Sequence, residues 1–103
     1  METNTEDPYV IEITTFTYKE GVKADTFWIR DAKIQEDYTS KQPGFISRES
    51  AMSEEGEVVV VVRWKTMADA EASMNKFMQD PSVADYAQMI EGPSMKMKRY
   101  QKQ

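Results

Sequence analysis

Asp31 and Gln35 stand one helical turn apart in a segment, Ala24 to about Lys41, whose apolar residues recur at helical spacing. At 100° per residue, Phe27, Trp28, Ile34 and Tyr38 share a face, and Asp31 and Gln35 fall within that stripe. A carboxylate facing an apolar space must be hydrogen-bonded, paired or raised in pKa. In a cavity it is suited to take a proton from an activated carbon. Alternatively it is neutralised by Arg63, Lys65 or Arg30. Glu12 is a second, weaker candidate carboxylate, on the first strand with Val10, Thr14 and Phe16, or else a barrel-face residue pairing with Arg63 or Lys98 across a dimer. Gln35 or Tyr86 would hold a substrate oxygen, Tyr86 through its phenol or simply as a packing residue. Trp64, Phe27, Trp28, Met74 and Phe77 would form walls suited to a flat aromatic ligand, or a plain core. The chain has eight methionines and no leucine, so flexible thioethers either fill the core or shape an adaptable cavity.

Other chemistry is excluded by composition. There is no cysteine, hence no disulfide, thiolate metal site or thiol nucleophile. There is no histidine, hence no His-dependent triad or His-ligated haem. The four glycines are isolated, so no phosphate-cradling loop exists. A net charge of −5 opposes nucleic acid binding, and the basic stretch Lys96, Lys98, Arg99 and Lys102 reads as a solvated edge and tail. Glu54, Glu55 and Glu57 beside Gly56 read as a solvated turn rather than a metal site. No apolar run approaches the roughly 20 residues of a membrane span, and Met1–Asp7 is acidic rather than signal-like. A cytoplasmic protein without membrane or nucleic acid partners is expected.

The elements that must position these residues follow from periodicity. Val10 to Tyr18 and Phe45 to Met52 are β-branched and aromatic enough for strands. Glu57 to Lys65 is the strongest strand; its five consecutive valines, Val58 to Val62, require cover on both faces. Pro43-Gly44 ends the first helix, and Ser53 to Gly56 forms a hairpin loop. Thr66 with Asp69 three residues later starts a second helix through Phe77. Asp80-Pro81 starts another, stopped by Gly92-Pro93, and Ser94 to Tyr100 alternates as a last strand. The order β-α-β-β-α-β predicts an α+β, ferredoxin-like domain with helices on one face of a four-stranded antiparallel sheet. It spans residues 8–101, with 1–7 and 102–103 as flexible termini. If helices cover Val58, Val60, Val62 and Trp64, then Val59 and Val61 need another cover. A second copy of the sheet supplies it, which predicts a homodimer.

Lys41-Gln42-Pro43-Gly44-Phe45, the run Val60-Val61-Val62-Arg63-Trp64 and the Thr66-to-Phe77 helix resemble the dimeric α/β-barrel superfamily, and within it the antibiotic-biosynthesis-monooxygenase-like domains. The resemblance covers about residues 8–101 and implies two sheets packed into a shared barrel. Its characterised members include oxygenases that use no metal or flavin on polycyclic aromatic substrates, and haem-degrading enzymes. In both, a Trp resembling Trp64 lines a pocket between sheet and helices. Some of the oxygenases carry Asn where this chain has Val60 and Tyr where it has Ala70; haem degraders carry His where it has Met74. Only Trp64 carries over, and the haem-degrading route loses its histidine.

The expected function is a cofactor-independent, metal-free monooxygenase-like enzyme acting on a small or polycyclic aromatic compound. Asp31 would abstract the proton and Trp64 wall the site, with Phe27, Trp28, Gln35, Met74, Phe77 and Tyr86 contacting substrate. The alternatives are an isomerase that stops at proton transfer, or a non-catalytic small-ligand-binding or stress-associated dimeric barrel in which Asp31 is merely paired.

Overall fold

A computed structural model describes residues 8–103; the lead-in expected at residues 1–7 lies outside the described residues. Four strands form one antiparallel sheet in the order β2-β3-β1-β4: β1 (Val10–Phe16), β2 (Phe45–Met52), β3 (Val58–Trp64) and β4 (Lys96–Gln101). The helices are α1 (Ala24–Asp37), α2 (Met67–Phe77) and α3 (Ala84–Met89). The α+β, ferredoxin-like arrangement is the one expected. No described helix is long and apolar enough to cross a membrane.

Local chemistry explains where the boundaries fall. The Thr66 hydroxyl accepts from Asp69 N at 3.0 Å and caps α2. α1 ends at Asp37 rather than Lys41 because Thr39–Lys41 tighten into a turn of 3₁₀ helix, with the Ser40 hydroxyl donating to Glu36 O. Such short polar side chains offer the backbone an alternative to a further helical turn. Asp80 accepts from Ser82 N at 2.8 Å, so the segment after Pro81 opens as a 3₁₀ turn before α3 begins. β4 starts at Lys96 rather than Ser94 because Gly92–Ser94 also turn. Ser94 Oγ there accepts from Thr17 N and donates to Glu91 O.

Burial alternates strictly along β1 and β3, with Val10, Glu12, Thr14, Phe16, Val58, Val60, Val62 and Trp64 buried toward the helices. This face meets Phe27 and Ile34 of α1, Ala70 of α2, and Val83, Tyr86 and Ile90 around α3. The cross-strand register places Ile11, Ile13, Val59, Val61 and Arg63 on the opposite face. Lys98 and Tyr100 of β4 join them there, opposite Ile13 and Ile11. Among the described residues, no helix covers this side. The glutamates of the β2–β3 turn are exposed, in agreement with a solvated hairpin loop.

Candidate functional site

A cavity of about 80 Å³ lies between the sheet and the helices. Its walls are largely apolar: Val60, Val62 and Trp64 from β3, Met74 and Phe77 from α2, and Met95 before β4. Polar side chains reach it from several elements: Glu12, Tyr38, Arg48 and Tyr86, with the hydroxyls of Thr14, Thr39 and Ser73. Among the described residues, Glu12 is the carboxylate on the cavity wall.

Glu12 is buried and held from two sides. Trp64 Nε1 donates to its Oε1 at 3.3 Å, and Arg99 Nε donates to its Oε2 at 2.8 Å. The register explains the second contact: Glu12 and Arg99 are directly opposed on β1 and β4 and therefore share a face. Glu12 therefore faces the helices and not the barrel side, where its expected partners Arg63 and Lys98 lie.

Asp31 is buried as expected, but it does not border the cavity. Arg48 Nη2 donates to its Oδ1 at 2.7 Å and Arg48 Nη1 to its Oδ2 at 3.3 Å. The Ser50 hydroxyl donates to Oδ2 and the Tyr86 hydroxyl to Oδ1, each at 2.7 Å. Burial alone would raise the pKa of Asp31; the hydrogen bonds and charge of Arg48, with the two hydroxyls, outweigh it and hold the carboxyl below its ordinary range. Asp31 is thus paired, though with Arg48 instead of Arg63, Lys65 or Arg30. Arg30 is occupied elsewhere, bridging to Asp85 at 2.8 Å. A carboxylate saturated by four donated hydrogen bonds has no lone pair aimed at a substrate.

Of the residues expected to contact substrate, the structure brings Trp64, Met74, Phe77 and Tyr86 to the cavity. It does not bring Phe27, Trp28 or Gln35 there. Phe27 is fully buried one layer away, stacked on Tyr86 at 5.4 Å and Tyr18 at 4.9 Å. Trp28 is half-buried and packs edge-on against Phe27. Gln35 is exposed. The buried arc of α1 is Phe27, Asp31 and Ile34, and Gln35 lies about 40° beyond Asp31 at 100° per residue. Tyr86 reaches the cavity with its hydroxyl already committed to Asp31, and burial and that neighbouring carboxylate raise its pKa, keeping it protonated.

Tyr38 differs from Tyr86. Its side chain lines the cavity and it is 7% exposed, yet its hydroxyl has no hydrogen-bond partner. Burial pushes its pKa up, with the charge of Asp80 adding to the effect, so the phenol is a neutral donor. No group of three or more metal-ligating side chains converges among the described residues.

No profile of a known protein family matches the sequence, and no curated protein does so. Solved structures do match. SnoaB, a cofactor-independent oxygenase from Streptomyces nogalater crystallised as a mutant, has a TM-score of 0.71 over 92% of each chain at 13% identity. A protein from Nitrosomonas europaea named as a candidate antibiotic biosynthesis monooxygenase gives 0.64 at 19% identity, over 96% of this chain and 93% of that one. The fold is antibiotic-biosynthesis-monooxygenase-like. A conserved protein from Methanosarcina mazei Go1 is also similar, with a TM-score of 0.70 at 13% identity over 94% and 95% of the two chains. The fold read from Pro43-Gly44-Phe45, the β3 run and α2 is therefore the observed one.

Sequence reasoning missed Arg48 and the unpartnered Tyr38 hydroxyl. Plain alternation from Phe45 puts Arg48 on the opposite side of β2. A register shift between Phe45 and Ser47 reverses the phase, so Phe45 opposite Trp64 and Arg48 opposite Val62 face the helices together. Tyr38 was readable only as an apolar stripe position, because periodicity reports a ring's face and not its hydroxyl's partner.

Proposed function

We propose that this chain is a cofactor-independent monooxygenase-like enzyme acting on an oxygenated aromatic compound. The observation that carries the proposal is the cavity itself, in which the Trp64 indole, the Met74 and Phe77 side chains and the Glu12 carboxylate meet. The fold shared with an oxygenase supports it. Glu12, rather than Asp31, takes the proton. The resulting carbanion, delocalised into the ring and its oxygen, gives its electrons to dioxygen. A carbon–oxygen bond forms, and loss of water leaves a carbonyl where the ring carbon bore hydrogen. One atom of dioxygen ends in the product and the other in water; the substrate is oxidised by four electrons and dioxygen is reduced by four. Until Glu12 accepts the proton, the Arg99 guanidinium and the Trp64 N–H hold its carboxylate in place, and Trp64 also borders the cavity where the charge then develops. Donors already in place around developing charge lower its energy without reorganisation.

Asp31 is a positioning residue in this reading. Through it α1 fixes Arg48 and Tyr86, both of which border the cavity. The enzyme works as a homodimer in which the open sheet faces, carrying Ile11, Ile13, Val59 and Val61, cover each other.

Dissolved-oxygen consumption with a panel of phenols, quinols and anthrone-type ketones tests the proposal. Glu12→Gln preserves the side chain's shape while removing the base, its NH₂ having to face the Trp64 or the Arg99 donor, and should lower kcat by about 10²–10⁴-fold in a protein whose far-ultraviolet dichroism shows it still folded. Binding of these compounds without any oxygen uptake would favour the non-catalytic barrel instead.

A further inference from the structure

We infer that the cavity takes a compound with a single aromatic ring bearing a phenol or keto oxygen, and that Tyr38 donates a hydrogen bond to that oxygen. This rests on the cavity being the substrate site, as proposed above, and narrows its ligand by size and polarity.

Size comes first. The space is about 80 Å³, whereas an apolar cavity of about 150 Å³ is what holds benzene in a rigid core. Even one ring therefore needs some give in the walls. Met74, half-buried, and Met95, also half-buried, supply it, since an unbranched thioether can change rotamer at little cost. The remaining walls are stiffer. Val60 and Val62 are β-branched and fixed in the central strand β3, and Trp64 is held by Glu12 and packed edge-on to Phe45 at 6.1 Å. Methionine movement can admit one ring.

Polarity comes second. A buried donor without a partner is costly, and native structures rarely leave one unless something completes it. The Tyr38 hydroxyl is in that state, on a residue that lines the cavity. Glu12 is engaged by Trp64 and Arg99, Arg48 by Asp31 and Ser50, and Tyr86 by Asp31; the hydroxyls of Thr14, Thr39 and Ser73 also line the cavity, and among the described residues it is the Tyr38 hydroxyl that is buried without a partner. A ligand oxygen beside Tyr38 completes the hydroxyl, and the ring then lies against Trp64, Met74 and Phe77. An aromatic hydrocarbon of the same size fills the space but leaves the hydroxyl orphaned.

The test is binding of 4-methylphenol, toluene and anthrone to the wild-type chain and to Tyr38→Phe, followed by nuclear magnetic resonance, with unfolding of the ligand-free proteins measured alongside. The wild type should bind 4-methylphenol about tenfold more tightly than toluene, the factor that a net hydrogen bond of this kind supplies. Tyr38→Phe should erase that preference, leave toluene unchanged within about twofold, and unfold at an equal or higher urea concentration because it no longer buries an orphan donor. Equal loss of both ligands in Tyr38→Phe, or an unchanged phenol preference, would overturn the role of Tyr38 while leaving the cavity as the site. Anthrone binding more tightly than 4-methylphenol would overturn the size limit alone. Failure of all three compounds to bind would overturn this inference together with the cavity's role as the substrate site.

Discussion

Replacing Asp31 by Asn separates a buried structural ion pair from a catalytic base. The substitution keeps the side chain's shape but turns one carboxylate oxygen into an NH₂ group. That group must face either Ser50 and Arg48 Nη1 at Oδ2, or Tyr86 and Arg48 Nη2 at Oδ1. Either way a donor meets donors, and the Arg48 guanidinium, 4% exposed, loses its counter-charge. Removing one partner of a buried pair costs about 3–5 kcal/mol. A domain's whole stability is about 5–15 kcal/mol, and a 3 kcal/mol loss lowers Tm by roughly 12–24 °C at this size. Arg48→Met should cost a similar amount by stranding Asp31. In the double variant the new amide can still accept from Tyr86 and bond to Ser50, and no charge is buried. The double variant should therefore be more stable than the sum of the singles by about 2 kcal/mol or more. Urea unfolding followed by far-ultraviolet circular dichroism, at one protein concentration, reads all four corners of the cycle. Additivity within about 0.5 kcal/mol, or an Asp31→Asn protein as stable as the wild type but inactive, would refute the structural assignment and restore Asp31 as the base.

Because the Asp31 pKa is lower in the folded chain than its ordinary value, its contribution is present above the ordinary carboxylate range and is lost as pH falls through the folded value. The stability gap between wild type and Asp31→Asn should thus stay constant from about pH 7 to 5 and shrink below pH 4, read from urea midpoints across that range; a gap that widens on acidification would contradict the sign. Val61→Glu places a charge on the open sheet face opposite Ile13 and should turn a dimer into a monomer of 11.9 kDa by light scattering, with far-ultraviolet dichroism retained; an unaltered mass would show that this face is not the dimer contact. Gly44→Ala should destabilise the fold by about 1–2 kcal/mol or more from the backbone alone, because Gly44 has φ +79° and a new Cβ would strike the Asp69 side chain; a neutral effect in thermal melts would refute the tight contact between this turn and α2.

The fold was legible wherever one residue type imposes one geometry. Five β-branched residues in a row favour an extended backbone, and Val58–Trp64 is a strand. Thr66 and Asp69 fixed the start of α2 to the residue, as Pro43-Gly44 fixed the start of β2. Boundaries slipped where polar side chains compete with the backbone, at Thr39–Lys41 and Gly92–Ser94. The site was legible in part. Its apolar walls Trp64, Met74 and Phe77 follow from strand and helix periodicity. Its polar partners do not, since they depend on register between distant strands. A single bulge after Phe45 turns Arg48 inward to meet Asp31, and the β1–β4 register sets Glu12 against Arg99. Asp31 stood out as an anomaly and was one, but burial inside an apolar stripe marks an ion pair as readily as a base.

Whether the cavity is the ligand site can be read from the two tryptophan indole N–H resonances, assigned with Trp28→Phe. Trp64 borders the cavity, and its N–H points to Glu12; Trp28 packs on Phe27 away from it. Titration with 4-methylphenol should shift the Trp64 signal in a saturable way and leave the Trp28 signal in place. A shift confined to Trp28, or no saturable shift of either, would contradict a ligand site between β3 and α2.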